Sequence, residues 1–375
     1  MDFTLKKFTN FKKKWELGKS FILGECEHQT QVYLESIRSP VPLLWIRSGG
    51  SSGKEKWIAH DADSLGAAVR SFQKTFQVSQ INSHSVLPFR HISGFMPFYR
   101  AWISGGICQY YSYDKIKTGI FPIVESGFFL SLVPTQLRNL IKMGRDAIKW
   151  LAQYQKVYVG GAPLNIGLWQ KALSHSIELV PVYGMSETAA MVACATYKEN
   201  EPVLYKPLWG VKVDSLGGIL NVQTSALARF IWDFENCSTA KLVTFPWSTQ
   251  DRAKMNPSGV FEILGRKDRA VISGGVTIFP EKLENLLAQH GLDKIFFFGI
   301  PDVYWGERLV GLGDLSRESK KDKILEILSL KLTKEEIPKN LYFIELPKND
   351  RGKYDFNALK KCAFSLASSS QIHNT

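Results

Sequence analysis

Several segments of this chain share one construction: an apolar run rich in β-branched and aromatic residues stops at glycine. Pro42-Leu43-Leu44-Trp45-Ile46-Arg47 feeds a Gly/Ser stretch that begins at Ser48. Lys156-Val157-Tyr158-Val159 stops at Gly160-Gly161, ahead of a helical pattern from about Pro163 to His175. Ile177 to Tyr183 stops at Gly184, and Ser85-Val86-Leu87-Pro88-Phe89 reads as a further strand. Between them Leu65, Ala68, Val69, Phe72 and Phe76 recur at helical spacing, from a start at Asp63 or Ser64. Short buried strands that alternate with helices can satisfy their backbones only in a sheet with crossover connections. The prediction is an α/β domain with a largely parallel sheet, its glycines at strand ends where open sheets bind ligands.

The pattern changes after about Gly210. Ile219 to Thr224 and Ala240 to Phe245 read as strands of a smaller β-rich part, and Val260 to Leu264 runs into Gly265-Arg266. Beyond Asp268 the expectation is α+β: a helix over Pro280 to His290, a strand over Lys294 to Gly299, a helix near 321 to 332 and a strand over Leu341 to Ile344. The expected domains are therefore 1–267 and 268–375. Before them, Phe11 to Leu17 is a candidate helix, and the tail Ser368 to His373 is expected to fray.

With 45% hydrophobic residues in 375, the chain can bury a sizeable core. No apolar run is long enough to span a bilayer, and Met1 to Lys7 lacks the apolar stretch of a secretory signal. The five cysteines form no CxxC pair, which suits a reducing cytoplasm rather than a disulfide framework. The net charge of +12 is spread out. It reads as a solvated basic surface, part of which could serve a polyanionic small molecule; no basic run is interleaved with aromatics as nucleic-acid binding would require.

Three stretches are candidates for chemistry. In Ser48-Gly49-Gly50-Ser51-Ser52-Gly53-Lys54-Glu55-Lys56, small residues let backbone N–H groups close around phosphates, and Lys56 adds charge. The spacing is not that of a Walker A loop, and a plain surface turn reads equally well. At the strand end Tyr183-Gly184-Met185-Ser186-Glu187-Thr188, Tyr183 is a candidate to stack on a base and Glu187 to hold Mg²⁺ beside phosphate. Core packing and an exposed loop acid are the alternatives. Gly161-Ala162-Pro163 suits close approach of a flat ring, or a tight turn before a helix.

Taken in order, these segments resemble the adenylate-forming superfamily of acyl-CoA synthetases, luciferases and peptide-synthetase adenylation domains. Ser48 to Lys56 is similar to its phosphate loop, with Gly49 and Glu55 as departures. Tyr183 to Thr188 resembles YGxTE. Thr249-Gln250-Asp251 stands for TGD, with Gln250 as a departure. Gly265-Arg266-Lys267-Asp268 resembles GRxD, Ile272-Ser273-Gly274-Gly275 an early lid motif, and Pro347 to Lys353 the PKTxxGK segment. The resemblance spans roughly Val41 to Asp355. It implies a large core of mixed sheets and helices with a small β-rich subdomain, followed by a small α+β lid. It also implies ATP, Mg²⁺ and CoA, with nucleotide contacts from Ser48, Gly50, Ser51, Ser52, Gly53, Lys56, Gly161, Ala162, Pro163, Tyr183, Gly184, Met185, Ser186, Thr188, Asp251 and Arg266. Lys353 and Glu187 would be catalytic, with Glu187 on the metal; Asp268 would be the hinge, and Ser273, Gly274 and Gly275 would approach CoA.

Leu87-Pro88-Phe89-Arg90-His91-Ile92-Ser93-Gly94 and Ser131 to Leu137 are similar to the o-succinylbenzoate–CoA ligase branch. That adds His91 as a catalytic candidate, against a plain packing role. It also implies a place in menaquinone or phylloquinone synthesis, with acyl-AMP formed first and acyl-CoA second. Other carboxylic acids, or a degenerate nucleotide-binding protein, remain open. About forty residues precede Ser48, where the family carries a further N-terminal subdomain; a naturally shortened branch is the expectation. Arg100 and Arg138 are candidates for a second carboxylate, or else ordinary solvated arginines.

Overall fold

The computed structural model describes residues 3–49, 55–164, 166–196, 202–233, 239–333, 336–348 and 354–372. An eleven-stranded sheet forms its backbone. Cys108–Tyr110, Asn82–Ser85, Phe128–Leu132, Lys156–Val159 and Leu179–Met185 run parallel to their neighbours in that order. Ala190–Ala195, Leu204–Pro207, Phe261–Arg266, Trp247–Met255, Ile219–Gln223 and Lys212–Leu216 then continue it antiparallel. The expected parallel sheet is thus half of a mixed one. Among the described residues no crossover helix joins the antiparallel half; Gly217-Gly218, both at positive φ, turn one of its strands directly into the next.

A second sheet orders Phe21–Leu23, Leu44–Gly49, Glu55–His60, Phe230–Asp233 and Lys241–Leu242. Helices Ala62–Phe76 and Ile92–Ser104 contribute Phe72, Phe95, Phe98 and Tyr99 to one of the two main apolar clusters. The N-terminal helix is longer than expected, Phe3–Glu16. It buries Phe11 completely, and the Phe11 ring lies edge-on to Phe95 at 5.0 Å. Helix Ala62–Phe76 starts one or two residues earlier than expected, because Asp61 caps it and exchanges reciprocal bonds with Ser64. The strand expected over 85–89 ends at Ser85. Pro88 has no N–H to offer a ladder, and the last bond is Tyr111 N–H to Ser85 O, at 2.9 Å.

Beyond residue 270 a separate five-stranded sheet orders Val276–Ile278, Val271–Ser273, Gly306–Asp314 and Ile295–Asp302, with Asn340–Ile344 parallel to Gly306–Asp314. Period-two alternation gives this sheet two apolar faces. Ile295, Phe297 and Leu309 meet Leu283, Leu287, Ile324 and Leu328 of helices Pro280–Gln289 and Lys321–Lys331. Phe298, Ile300, Val310 and Leu312 meet Leu359, Ala363 and Ala367 of helix Phe356–Ile372. That helix continues to Ile372, into the segment expected to fray, and Leu359, Ala363 and Ala367, a buried residue every fourth position, tie its preceding turns to the sheet. No helix among the described residues is long and apolar enough to cross a membrane. Cys26, Cys108, Cys194 and Cys362 are not joined in disulfides; Cys237 lies outside the described residues.

Candidate active site

Two antiparallel strands, Leu44–Gly49 and Glu55–His60, flank the Gly/Ser stretch in the sequence. Ser48 pairs with Lys56 and Gly49 with Glu55 across strands Leu44–Gly49 and Glu55–His60. Gly50, Ser51, Ser52 and Gly53 lie outside the described residues, as does Lys353. Strand Glu55–His60 leads directly to the second motif. The His60 Nε2 is 2.7 Å from the Ser186 carbonyl, and Ala228 N–H donates to the Glu187 carbonyl at 2.8 Å. Arg229 N–H donates to Ala59 O at 2.7 Å, and the Arg229 Nε to Asp61 Oδ2 at 2.5 Å.

The turn over 186–190 is tightly wound. Thr188 Oγ1 accepts from Met185 N–H at 3.3 Å and lies 3.0 Å from Ala190 O. Ala189 and Ala190 take φ of 50° and 87°, a region alanine rarely adopts. Gly184 is required by space: a Cβ there would lie 1.8 Å from the Ala190 carbonyl oxygen. Glu187 is largely enclosed. Burial raises its pKa, while its own backbone N–H and the charges of Lys56 and Arg266 act in the opposite direction.

Tyr183 closes the floor. Its ring meets Tyr205 and Phe261, at 6.0 and 5.8 Å between centroids, and its hydroxyl donates to Asp251 Oδ2 at 2.6 Å. Burial first, and the Asp251 carboxylate second, push the Tyr183 pKa well up, so the phenol stays protonated. Asp251 faces Arg266 across the 247–255 and 261–266 strands, with Nη1 3.8 Å from Oδ1. Arg266 also grips Asp268 with two bonds of 2.8 Å. Gly161, at φ 79°, Ala162 and Pro163 follow the neighbouring parallel strand and are exposed. The structure therefore brings Tyr183, Glu187, Asp251 and Arg266 together at the long sheet, with Lys56 of the second sheet close enough to act on Glu187.

Other candidates sit apart. Ser273 is fully buried and its Oγ has no hydrogen-bond partner, whereas Gly274 and Gly275 form an exposed turn at φ 57° and 80°. His91 precedes helix Ile92–Ser104 as its N-cap residue. Arg138 is not a free cation: its Nη1 meets Asp293 Oδ2 at 2.6 Å, and Arg317 holds the other oxygen of that carboxylate at 2.5 Å.

Arg100 departs from the solvated alternative. It is 4% exposed, and its Nε and Nη2 have no hydrogen-bond partner. The guanidinium lies over the Phe72 ring at 4.6 Å. Burial pushes its pKa down to about 10, partly opposed by Tyr158, so it remains charged at neutral pH. The Tyr158 hydroxyl, two residues before Gly160, is likewise buried without a partner. Sequence reasoning missed His60 altogether. Nothing local marks it, because Ser186, the residue it holds, is 126 positions away.

Among the described residues no group of three His, Cys, Asp or Glu side chains could hold a metal. Mg²⁺ bound with a nucleotide takes only one or two carboxylates and completes its shell from phosphate and water. A lone enclosed carboxylate close to Lys56, Glu187, fits that requirement.

A mixed sheet carrying an acid and an Asp–Arg pair, with two further strands that flank a Gly/Ser stretch, is the architecture of an adenylate-forming enzyme. Residues 11–217 match the AMP-binding enzyme family, and the chain belongs to that family, as an AMP-forming acid–thiol ligase. It is 25% identical over 349 residues to the 2-succinylbenzoate–CoA ligase of Listeria monocytogenes, covering 90% of this chain and 74% of the relative. It is also 25% identical over 355 residues to that of Staphylococcus epidermidis, covering 89% and 72%. The fold is similar to that of o-succinylbenzoate CoA synthetase (MenE) from Bacillus subtilis, solved with the acyl-adenylate OSB-AMP. There the TM-score is 0.70 at 20% identity, with 84% of this chain and 68% of that one covered.

Proposed function

We propose that this enzyme joins o-succinylbenzoate to CoA at the expense of ATP, through an o-succinylbenzoyl-AMP intermediate. One observation carries the choice of acid: Arg100, a buried cation with unpartnered donors, which acts electrostatically with Tyr158, itself two residues before Gly160. An unpaired buried charge is costly. An acid with two carboxylates can present one to Arg100 and the other to ATP. The relatives named 2-succinylbenzoate–CoA ligase support the same reading.

In the first half-reaction a carboxylate oxygen attacks the α-phosphorus of ATP, and pyrophosphate leaves. Two anions must meet, so the residues' contribution is positioning and positive charge. Ser48 and the 50–53 loop enclose the phosphates, with Lys56 beside them. Asp251 accepts from the ribose hydroxyls, held in place by Tyr183, and Arg266 balances its charge. Gly161, Ala162 and Pro163, with Tyr183 to Thr188, border the base. Glu187 holds Mg²⁺, which supplies neutralising charge to the phosphates. Lys353 brings its ammonium to the transition state, and His91 borders the reacting acid. In the second half-reaction the CoA thiolate attacks the acyl carbon and AMP leaves. We read residues 1–267 as the core and 268–375 as a lid that turns about Asp268, exchanging Lys353 for the Gly274-Gly275 turn beside Ser273. Cysteines not joined in disulfides suit the cytoplasm.

The test is ATP–pyrophosphate exchange across a panel of carboxylic acids. Exchange with o-succinylbenzoate alone is expected. Exchange with other acids only would replace the substrate, and none with any acid would leave a nucleotide-binding protein without turnover.

A further inference from the structure

We propose that His60 is a positioning residue: its imidazole fixes the Ser186–Thr188 turn so that Glu187 faces the metal–nucleotide end of the site. The inference rests on the role given above to Glu187, and goes beyond it by naming what holds that carboxylate in place.

The hydrogen bonds set the ring's state. His60 is fully buried. Its Nε2 lies 2.7 Å from the Ser186 carbonyl oxygen, which can only accept, so Nε2 carries the proton. In the neutral ring Nδ1 is then an acceptor, 3.2 Å from the Ser64 hydroxyl. Ser64 is itself fixed by the Asp61 cap, its N–H donating to Asp61 Oδ1 at 2.8 Å. The ring therefore stands on a helix N-terminus and reaches across to one backbone carbonyl.

That carbonyl belongs to the residue before Glu187, at the start of a turn that leads into two alanines at positive φ. Such a conformation persists only when its surroundings over-determine it. The only other tie described for this stretch of backbone from the same sheet is Ala228 N–H to Glu187 O. Because strand Glu55–His60 also carries Lys56, the same element sets both the cation that follows the Gly/Ser stretch and the bearing of the metal-binding acid. Partners that orient a metal ligand typically matter tenfold to a hundredfold in metal affinity.

The experiment compares His60→Gln with His60→Asn, using Mn²⁺ as the metal probe. The Gln amide nitrogen lies as far along the side chain as Nε2 and can still donate to Ser186 O. The Asn amide stops at the level of Nδ1 and leaves that carbonyl unpaired. Both variants are polar and close in size, so neither is set apart by folding alone. Mn²⁺ binding is followed by electron paramagnetic resonance at fixed ATP, with AMP affinity measured without metal. The KM for the metal–ATP complex and kcat are taken from pyrophosphate exchange. The expected result is a Mn²⁺ half-saturation raised roughly 10- to 100-fold in His60→Asn, a higher KM with kcat reduced less, unchanged AMP affinity, and restoration by His60→Gln to within about threefold. Equal Mn²⁺ affinity in wild type and His60→Asn would overturn the proposal. So would parallel losses of metal and AMP affinity in both variants, which mark a structural role. A wild-type enzyme whose ATP binding ignores Mn²⁺ would instead overturn the role of Glu187.

Discussion

Replacing Arg100 by methionine should make the protein more stable and a poorer enzyme at the same time. Arg100 is 4% exposed, with two nitrogens that donate to nothing. A buried donor without a partner costs about 1–3 kcal/mol. The stacking of the guanidinium over Phe72, at 4.6 Å, returns at most about 2 kcal/mol. With two such donors and that return, the free enzyme carries a net cost of up to about 4 kcal/mol. Methionine replaces the stem as far as Nε and removes the unpartnered donors, while the space left by the guanidinium tip offsets part of that gain, so Tm should rise by up to about 4 °C. Catalysis moves the other way. Losing the cation that receives a substrate carboxylate costs about 2–5 kcal/mol, or roughly 30- to 5000-fold in kcat/KM at 1.36 kcal/mol per factor of ten. Differential scanning calorimetry reads the first effect. Pyrophosphate exchange with o-succinylbenzoate, and with an analogue lacking the second carboxylate, reads the other. The analogue's exchange should be unaffected by the substitution. A lower Tm with equal losses on both acids would show Arg100 to be a core residue, and the reasoning would fail.

Gly184→Ala should disturb both fold and site, since its Cβ would stand 1.8 Å from Ala190 O. A loss of about 3 kcal/mol with collapse of exchange is expected by chemical denaturation and assay; a neutral result would deny the close approach. Burial, against an opposing hydrogen bond with Gln109, brings the His84 pKa down to about 4 from its ordinary 6.5. The unfolded chain therefore takes up that proton first as the pH falls, and stability drops between pH 6.5 and 4 by up to about 3 kcal/mol. His84→Gln should flatten that slope in urea midpoints measured across the range, and an unchanged slope would exclude His84 as its source. Lys353→Ala should abolish adenylation yet spare thioester formation from preformed acyl-AMP in single-turnover assays, with equal loss of both halves contradicting the assignment.

What the sequence revealed follows the range of the forces involved. Local order was legible: the 280–289 and 321–331 helices, the 156–159 strand and the glycine-ended strand before Glu187 all follow from periodicity and turn chemistry. The mixed character of the long sheet came only with the family resemblance and not from the strands themselves, because an apolar strand reads the same whichever way its neighbour runs. Nor were the partners that give site residues their meaning. Tyr183 and Asp251 are 68 positions apart and His60 and Ser186 are 126 apart, and no local pattern encodes such pairs. Arg100 looked like any helical arginine; only burial separates it from Arg138, which found an acid in Asp293.

That last contact has a mechanical consequence. Asp293 is shared between Arg138 on the core side and Arg317 on its own side. A rotation of the C-terminal portion must surrender the first bond and carry the second along. The departing carboxylate leaves already neutralised, while Arg138 is left bare to solvent. Added salt screens such a parting, so the interval between adenylate formation and thiol attack should shorten as ionic strength rises.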